Sequence, residues 1–271
     1  MYVGIDIGGT KTLVAVFAED GTLGQTVKFP TNDNYQRFLS DLKVQAKSLD
    51  TKDFSAGASG VAGVINRDKG IVITCGNLSW HDEPIKQDLE AIFNCPFVIE
   101  NDAKAGGLAE AEFISDEFKN VLFVTIGTGI GTTYIINGKI DLSLGDGGGR
   151  AMMIEYEDKI QPWEEFASGT AIVKKYGKRA ADITDEATWK EIAHALSLGF
   201  LDLLGVVSPD AIVIGGGVGS HFDRFDSFLE TELKQYENNI LKIPPLLPAR
   251  NPEQAVIYGC YQLIKQHEKA A

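Results

Sequence analysis

Three glycine-rich turns follow runs of β-branched residues: DIGGTKT at 6–12, TIGTGIGTT at 125–133 and IGGGVG at 214–219. Glycine lets backbone N–H groups approach an anion closely and adopt the positive φ that a nest of amides needs. A single turn of this kind reads first as a tight hairpin. Three of them, with threonine and lysine interleaved in the first and threonine in the second, favour phosphate binding. None matches G-x-x-x-x-G-K-[ST], and the first strand lacks G-x-G-x-x-G, so the P-loop and dinucleotide readings lose their signature. Asp6 stands beside the first turn, where its carboxylate suits Mg²⁺ directly or through water; a strand-end aspartate also caps turns. Lys11 can meet phosphate as a point charge or remain a solvated hairpin lysine. Asn101-Asp102 closes the apolar run PFVIE ahead of AKAGGLAEA. Either residue suits a helix N-cap, and an aspartate at a strand's carboxyl end also suits a general base toward a hydroxyl.

The elements that must carry these residues follow from periodicity. YVGIDI, TLVAVFA and LGQTVKF alternate with glycine turns and predict a β-meander. Tyr35, Phe38, Leu39, Leu42 and Ala46 recur at three- and four-residue steps, which predicts a helix over 34–49. Strand, glycine-rich loop and strand are expected from SAGASGVAGVIN to GIVITCG, a turn at NLSWHDEP, then a helix over 85–93, the strand PFVIE and the start of another helix in NDAKAGGLAEAEF. The second half repeats the opening: VLFVTIG, a glycine-threonine turn, TTYIING and KIDLSL lay Ile126-Gly127 on Ile7-Gly8. This implies a duplicated α/β domain with a cleft between the halves. Helices are expected over 164–177, 186–207 and 222–236, a buried strand at AIVIG, a proline-rich connector at IPPLLPARNP that excludes helix, and a helix in the tail from Glu253.

Composition bounds the chemistry. The 271 residues suffice for one large or two ordinary domains, and 44% hydrophobic with 23% charged residues is globular. The net charge of −13 argues against nucleic-acid binding and against an anionic membrane surface, so an anionic ligand has to be held locally, by amides, a metal or a few cations. The 29 glycines exceed the usual ~7%. Cys75, Cys95 and Cys260 are scattered, without a C-x-x-C pair, which fits a reducing cytoplasm better than disulfides or zinc. Neither a secretory signal nor an apolar run of membrane length is present.

DIGGTKT, ENDAKAGGLAEA, TIGTGIGTTYIING, WEEFASGTAI and PDAIVIGGGV, in that order and over nearly the whole chain, resemble the ROK family of sugar kinases. The resemblance implies an α/β fold of duplicated actin-like (ribonuclease H-like) domains with a central cleft, here drawn as 1–103 with the helix 255–271, and 104–254. It implies that Gly8, Gly9, Thr10, Lys11 and Thr12, and Gly127, Thr128, Gly129, Gly131 and Thr132, bind the phosphates of ATP. Gly215, Gly216 and Gly217 would border the adenosine, and Asp6 would hold Mg²⁺ through water. Asp102 would be the base, with Gly63, Asn77, Asn101 and Glu164 on the sugar. The implied activity is transfer of the γ-phosphoryl of ATP to a hexose such as glucose, at the 6-hydroxyl. Homodimers are common in that family, though no interface is legible here.

The departures matter as much. The family's G-E-x-G-H and the zinc site that follows are replaced by GDGGGRAMMIEYEDKIQPWEEFASG, which holds no cysteine or histidine. On the simplest alignment Gly149 replaces the glutamate and Met152 the histidine. Zinc is not expected, two sugar contacts are missing, and Glu155 is either a substitute contact or a solvated residue. Competing readings are a binder of sugar or nucleotide without turnover, and a sugar-responsive repressor, which would need a helix-turn-helix ahead of the first strand. Polyphosphate as donor would want a Lys/Arg run, which is absent.

Overall fold

The computed structural model describes residues 1–252 and 254–270; Glu253 and Ala271, which the expected tail helix included, lie outside the described residues. The chain divides into two compact units, Met1–Ala109 with Gln254–Ala271, and Glu110–Glu253.

In the first unit β1 (Tyr2–Ile7), β2 (Lys11–Phe17) and β3 (Leu23–Pro30) form the meander, and α1 (Tyr35–Ser48) buries Tyr35, Phe38, Leu39, Leu42 and Ala46, the stripe its spacing predicts. Next come β4 (Ala56–Val61), β5 (Gly63–Asn66), β6 (Ile71–Cys75), β7 (His81–Glu83), α2 (Ile85–Phe93), β8 (Phe97–Asn101) and α3 (Asp102–Phe113). The stretch expected as a glycine-rich loop is in part β5, because Gly63 pairs with Cys75 in a small antiparallel sheet that also takes up the expected turn as β7. The main sheet runs β3-β2-β1-β4-β8, with antiparallel pairs among the first three and parallel pairs β1·β4 and β4·β8. β1 and β4 are buried almost throughout, as expected of parallel strands covered on both faces.

The second unit repeats this scheme. β9 (Asn120–Ile126), β10 (Ile130–Ile136) and β11 (Lys139–Asp141) are followed by α4 (Gly148–Ala151), the hairpin β12 (Met153–Tyr156) and β13 (Lys159–Pro162), then α5 (Glu164–Ala167), α6 (Gly169–Tyr176) and α7 (Glu186–Leu204). β14 (Ala211–Gly215), α8 (Gly216–Gly219), α9 (Asp226–Lys234) and β15 (Leu246–Pro248) complete it. Its sheet runs β11-β10-β9-β14-β15 with the same pattern of antiparallel and parallel pairs. The helix expected over 164–177 is two, because Ser168 leaves helical geometry and its side chain accepts from the Ala171 amide as the N-cap of α6. The proline-rich connector supplies an edge strand, β15; prolines are tolerated at a sheet edge because they need donate no ladder hydrogen bond there.

The C-terminal helix α10 (Ala255–Ala270) belongs to the first unit and packs on β1, β2, β4 and β8. A Cβ at Gly259 would overlap the Ala105 carbonyl, so only glycine admits this approach. In the second unit Trp163 is fully buried, its indole N–H donating to the Ala195 carbonyl, while Gly199 leaves the space its ring occupies. Among the described residues no helix is long and apolar enough to cross a membrane.

Candidate active site

The register of the first sheet gathers one group of residues. Ile7 lies opposite Val61 and Val61 opposite Asn101, so β1, β4 and β8 end together at their carboxyl edge. Side chains and turns at such an edge are the usual ligand position in α/β proteins. Asp6, the three-residue connection 8–10 that ends at Lys11, Gly63, Asn101 and Asp102 all fall there. The first turn closes with the Gly8 amide donating to the Lys11 carbonyl at 3.1 Å, and leaves Thr10 and Lys11 exposed. A Cβ added at Gly9 would meet the Asn77 Cβ at 2.8 Å, so the Asn77 loop rests against this turn. Thr12 is placed differently: its hydroxyl is buried and 2.8 Å from that of Thr31, tying β2 to the segment after β3.

Asp6 is half-buried at the end of β1. Desolvation pushes its carboxyl up to about 7, the nearby Asp102 charge adds to the rise, and Lys11 and Lys28 oppose it. A strand-end carboxylate beside a phosphate-type turn, as Asp6 is, is the kind of hard oxygen donor that Mg²⁺ takes alongside water and phosphate oxygens; the residues present fit that ion.

Asn101 and Asp102, both suited by type to cap the following helix, are placed differently. Asn101 Oδ1 accepts from the Lys104 amide at 3.1 Å, which is the N-cap bond of α3, and its Nδ2 donates to the Gly63 carbonyl at 3.0 Å. Capping therefore falls to Asn101. Asp102 stands in the first turn of α3, half-buried, with Oδ1 accepting from the Ala103 amide at 2.8 Å. Behind them Arg67 Nε donates to Glu100 Oε2 at 2.9 Å and Glu100 Oε1 accepts from the Asn101 amide, a support that the sequence did not signal.

In the second unit the connection 127–129 joins β9 to β10 as 8–10 joins β1 to β2, with the Gly127 amide donating to the Gly129 carbonyl. Gly215 pairs with Thr125, so the turn at 215–217 leaves the same sheet edge; Gly216, at φ +81°, lies against the end of β9, where a Cβ would come within 2.6 Å of the Ile126 carbonyl oxygen. Thr128 and Gly217 are exposed, Gly131 is partly so, and Thr132 is buried on β10. The start of α6 holds the turn from behind: the Gly169 amide donates to the Gly127 carbonyl at 2.8 Å and the Thr170 hydroxyl to the Thr128 carbonyl at 2.8 Å. Sequence reading passed over Gly169 and Thr170, although SGT ahead of an apolar helix is a capping signal. Glu164, buried Trp163 behind it, reaches this turn: Oε2 lies 3.4 Å from the Ile130 amide and Oε1 accepts from Arg150 Nε at 2.8 Å. Met152 packs against the core and Glu155 is exposed on its hairpin opposite Ile160. All three cysteines are buried in the first unit, burial pushing the thiols of Cys75 and Cys260 up to about 12 and of Cys95 to about 11.

Matching turns at matching sheet edges in both units are the actin-like arrangement, and the sequence model described as "ROK family" matches residues 2–267. The chain belongs to the ROK family. It is 26% identical over 316 residues to a glucokinase of Streptomyces coelicolor, covering 98% of each chain. It is also 26% identical over 297 residues to an N-acetyl-D-glucosamine kinase of Vibrio parahaemolyticus, covering 96% of this chain and 98% of that one. A ROK family glucokinase from Streptomyces griseus, solved in complex with glucose and AMPPNP, superposes with a TM-score of 0.83 at 24% identity, covering 98% and 99% of the two chains. The last likeness establishes the fold, and the curated relatives support a sugar kinase.

Proposed function

We propose that this chain is an ATP- and Mg²⁺-dependent kinase that transfers the γ-phosphoryl of ATP to the 6-hydroxyl of a hexose such as glucose. The observation that carries the reading is the common end of β1, β4 and β8, which sets Asp6, the first glycine turn and Asp102 along one edge. Asp102 takes the proton from the sugar hydroxyl, held near the positive end of α3. Asn77 presents its side-chain amide to the sugar and Asn101 the second N–H of its Nδ2, and the amides of both glycine turns hold phosphate oxygens. Bound at Asp6, Mg²⁺ supplies charge neutralisation for the phosphates. Positioning and electrostatics account for most catalysis of phosphoryl transfer, which suits a site made largely of backbone. Asp102→Asn is expected to lower kcat by about 10²-fold or more while nucleotide affinity changes little. Unchanged turnover would refute the assignment.

A second reading, binding without turnover, is favoured by one observation: Glu164, expected on the sugar, is engaged by Arg150 and the Ile130 amide. Coupled-assay turnover with ATP and Mg²⁺ on glucose, mannose, fructose, allose and the N-acetylated hexosamines separates the two. Activity on any of them refutes the binder; intact ATP binding with none supports it.

A further inference from the structure

The segment that replaces G-E-x-G-H does more than remove contacts. Its glycines lay α4 directly on the second phosphate-type hairpin: Gly148 has φ +48°, and a side chain there would overlap the Ile130 carbonyl. A Cβ at Gly149 would stand 2.8 Å from the Ile130 Cβ. This close seat brings Arg150 beside the turn, where its Nε donates to Glu164 Oε1 at 2.8 Å. The other Glu164 oxygen approaches the Ile130 amide, and a Cβ on Gly129 would come within 2.6 Å of it. The Glu164 side chain is 13% exposed and that of Arg150 53%. Among the described residues the Arg150 Nη groups donate to no partner.

These facts pose an electrostatic problem and answer it. A sheltered carboxylate beside an anion-binding turn, near its Ile130 amide, would repel the anion. Pairing with Arg150 cancels that charge. Because the carboxylate takes Nε, the Nη edge of the planar fork stays open, and such an edge matches two oxygens of a phosphoryl or carboxylate group. Lysine in this place would offer a point charge in place of that planar two-donor edge. We propose that Arg150 is an anion-binding residue at the second glycine turn, held by Glu164 through Nε and taking a phosphoryl or carboxylate group on its Nη edge. The anion is either a phosphoryl group of the nucleotide or an acidic substituent of the sugar. The inference rests on the reading that this turn meets an anion.

Titration calorimetry on the full chain tests it, with MgATP, inorganic tripolyphosphate, glucose and glucuronate as ligands. Arg150→Gln is expected to weaken MgATP and tripolyphosphate by about 10-fold or more, the scale of a charged hydrogen-bonding pair, with glucose unaffected. A loss confined to glucuronate supports the same residue acting on an acidic sugar. Glu164→Gln, which keeps the cation and removes the opposing charge, should tighten the anion. The double variant should stay as weak as Arg150→Gln, since the Nη edge is gone; recovery to the parent's affinity would show that only charge cancellation matters and overturn the proposal. Equal binding of every ligand by parent and Arg150→Gln also overturns it, while leaving the kinase reading intact. A parent that binds none of MgATP, tripolyphosphate and glucuronate overturns both.

Discussion

Asp6 makes the site's electrostatics measurable without turnover. In the folded protein its carboxyl titrates at about 7, against 3.8 for a free aspartate, because burial and the Asp102 charge disfavour the anion. Between those values the unfolded chain has lost the proton that the folded chain keeps. Native protein therefore binds more protons than unfolded protein, and stability falls as pH rises through this window. About three pH units at 1.36 kcal/mol each give an upper bound of ~4 kcal/mol, and the partial exposure of Asp6 brings the expected effect to about 2 to 4 kcal/mol. Asp6→Asn removes the titration. Urea unfolding of parent and variant from pH 4 to 8, with EDTA and no nucleotide, should show the variant gaining on the parent up to pH 7 and then a constant difference. The constant offset from replacing the side chain does not matter; the slope does. A difference independent of pH would refute the claim that Asp6 is held protonated below neutrality. In the presence of Mg²⁺ and nucleotide the parent's loss near pH 7 should shrink, since a cation favours the anion.

Two further outcomes follow from single residues. Glu110 is buried and accepts from the Arg250 and Asn251 amides at 2.7 and 2.9 Å; Glu110→Ala leaves both donors unpaired and should cost about 2 to 4 kcal/mol in denaturant unfolding, and a loss below about 0.5 kcal/mol would refute this role. Thr170→Val removes the bond to the Thr128 carbonyl while keeping the side chain's shape, so KM for the nucleotide should rise about 3- to 10-fold with the melting temperature nearly unchanged; an unaltered KM would show that the turn does not need this support.

Much of the fold is legible in the sequence. The α1 stripe from Tyr35 to Ala46, the helix 85–93 and the repeat of Ile7-Gly8 at Ile126-Gly127 are periodic patterns, and local periodicity survives folding because it records which face is buried. The misreadings lie where local preference yields to a neighbour. Gly63 reads as loop but becomes strand because Cys75 pairs with it, and the proline-rich 243–252 contains an edge strand because β14 offers a free ladder. The break at Ser168 carried its own signal, a cap residue ahead of an apolar run.

For the site the division is sharper. The sequence by itself determined the duplicated α/β plan, the family, the glycine turns and the carboxylates beside them, because each depends on residue type and order along the chain. Only the tertiary structure decided how those groups are used. It gave the capping role to Asn101, turned Thr12 inward onto Thr31, and set Thr170 behind the second turn. It also joined Arg150 to Glu164, two residues 14 apart whose meeting depends on Gly148 and Gly149 seating α4 against Ile130. Side-chain partners are chosen by packing between elements distant in sequence, and no local pattern records that choice.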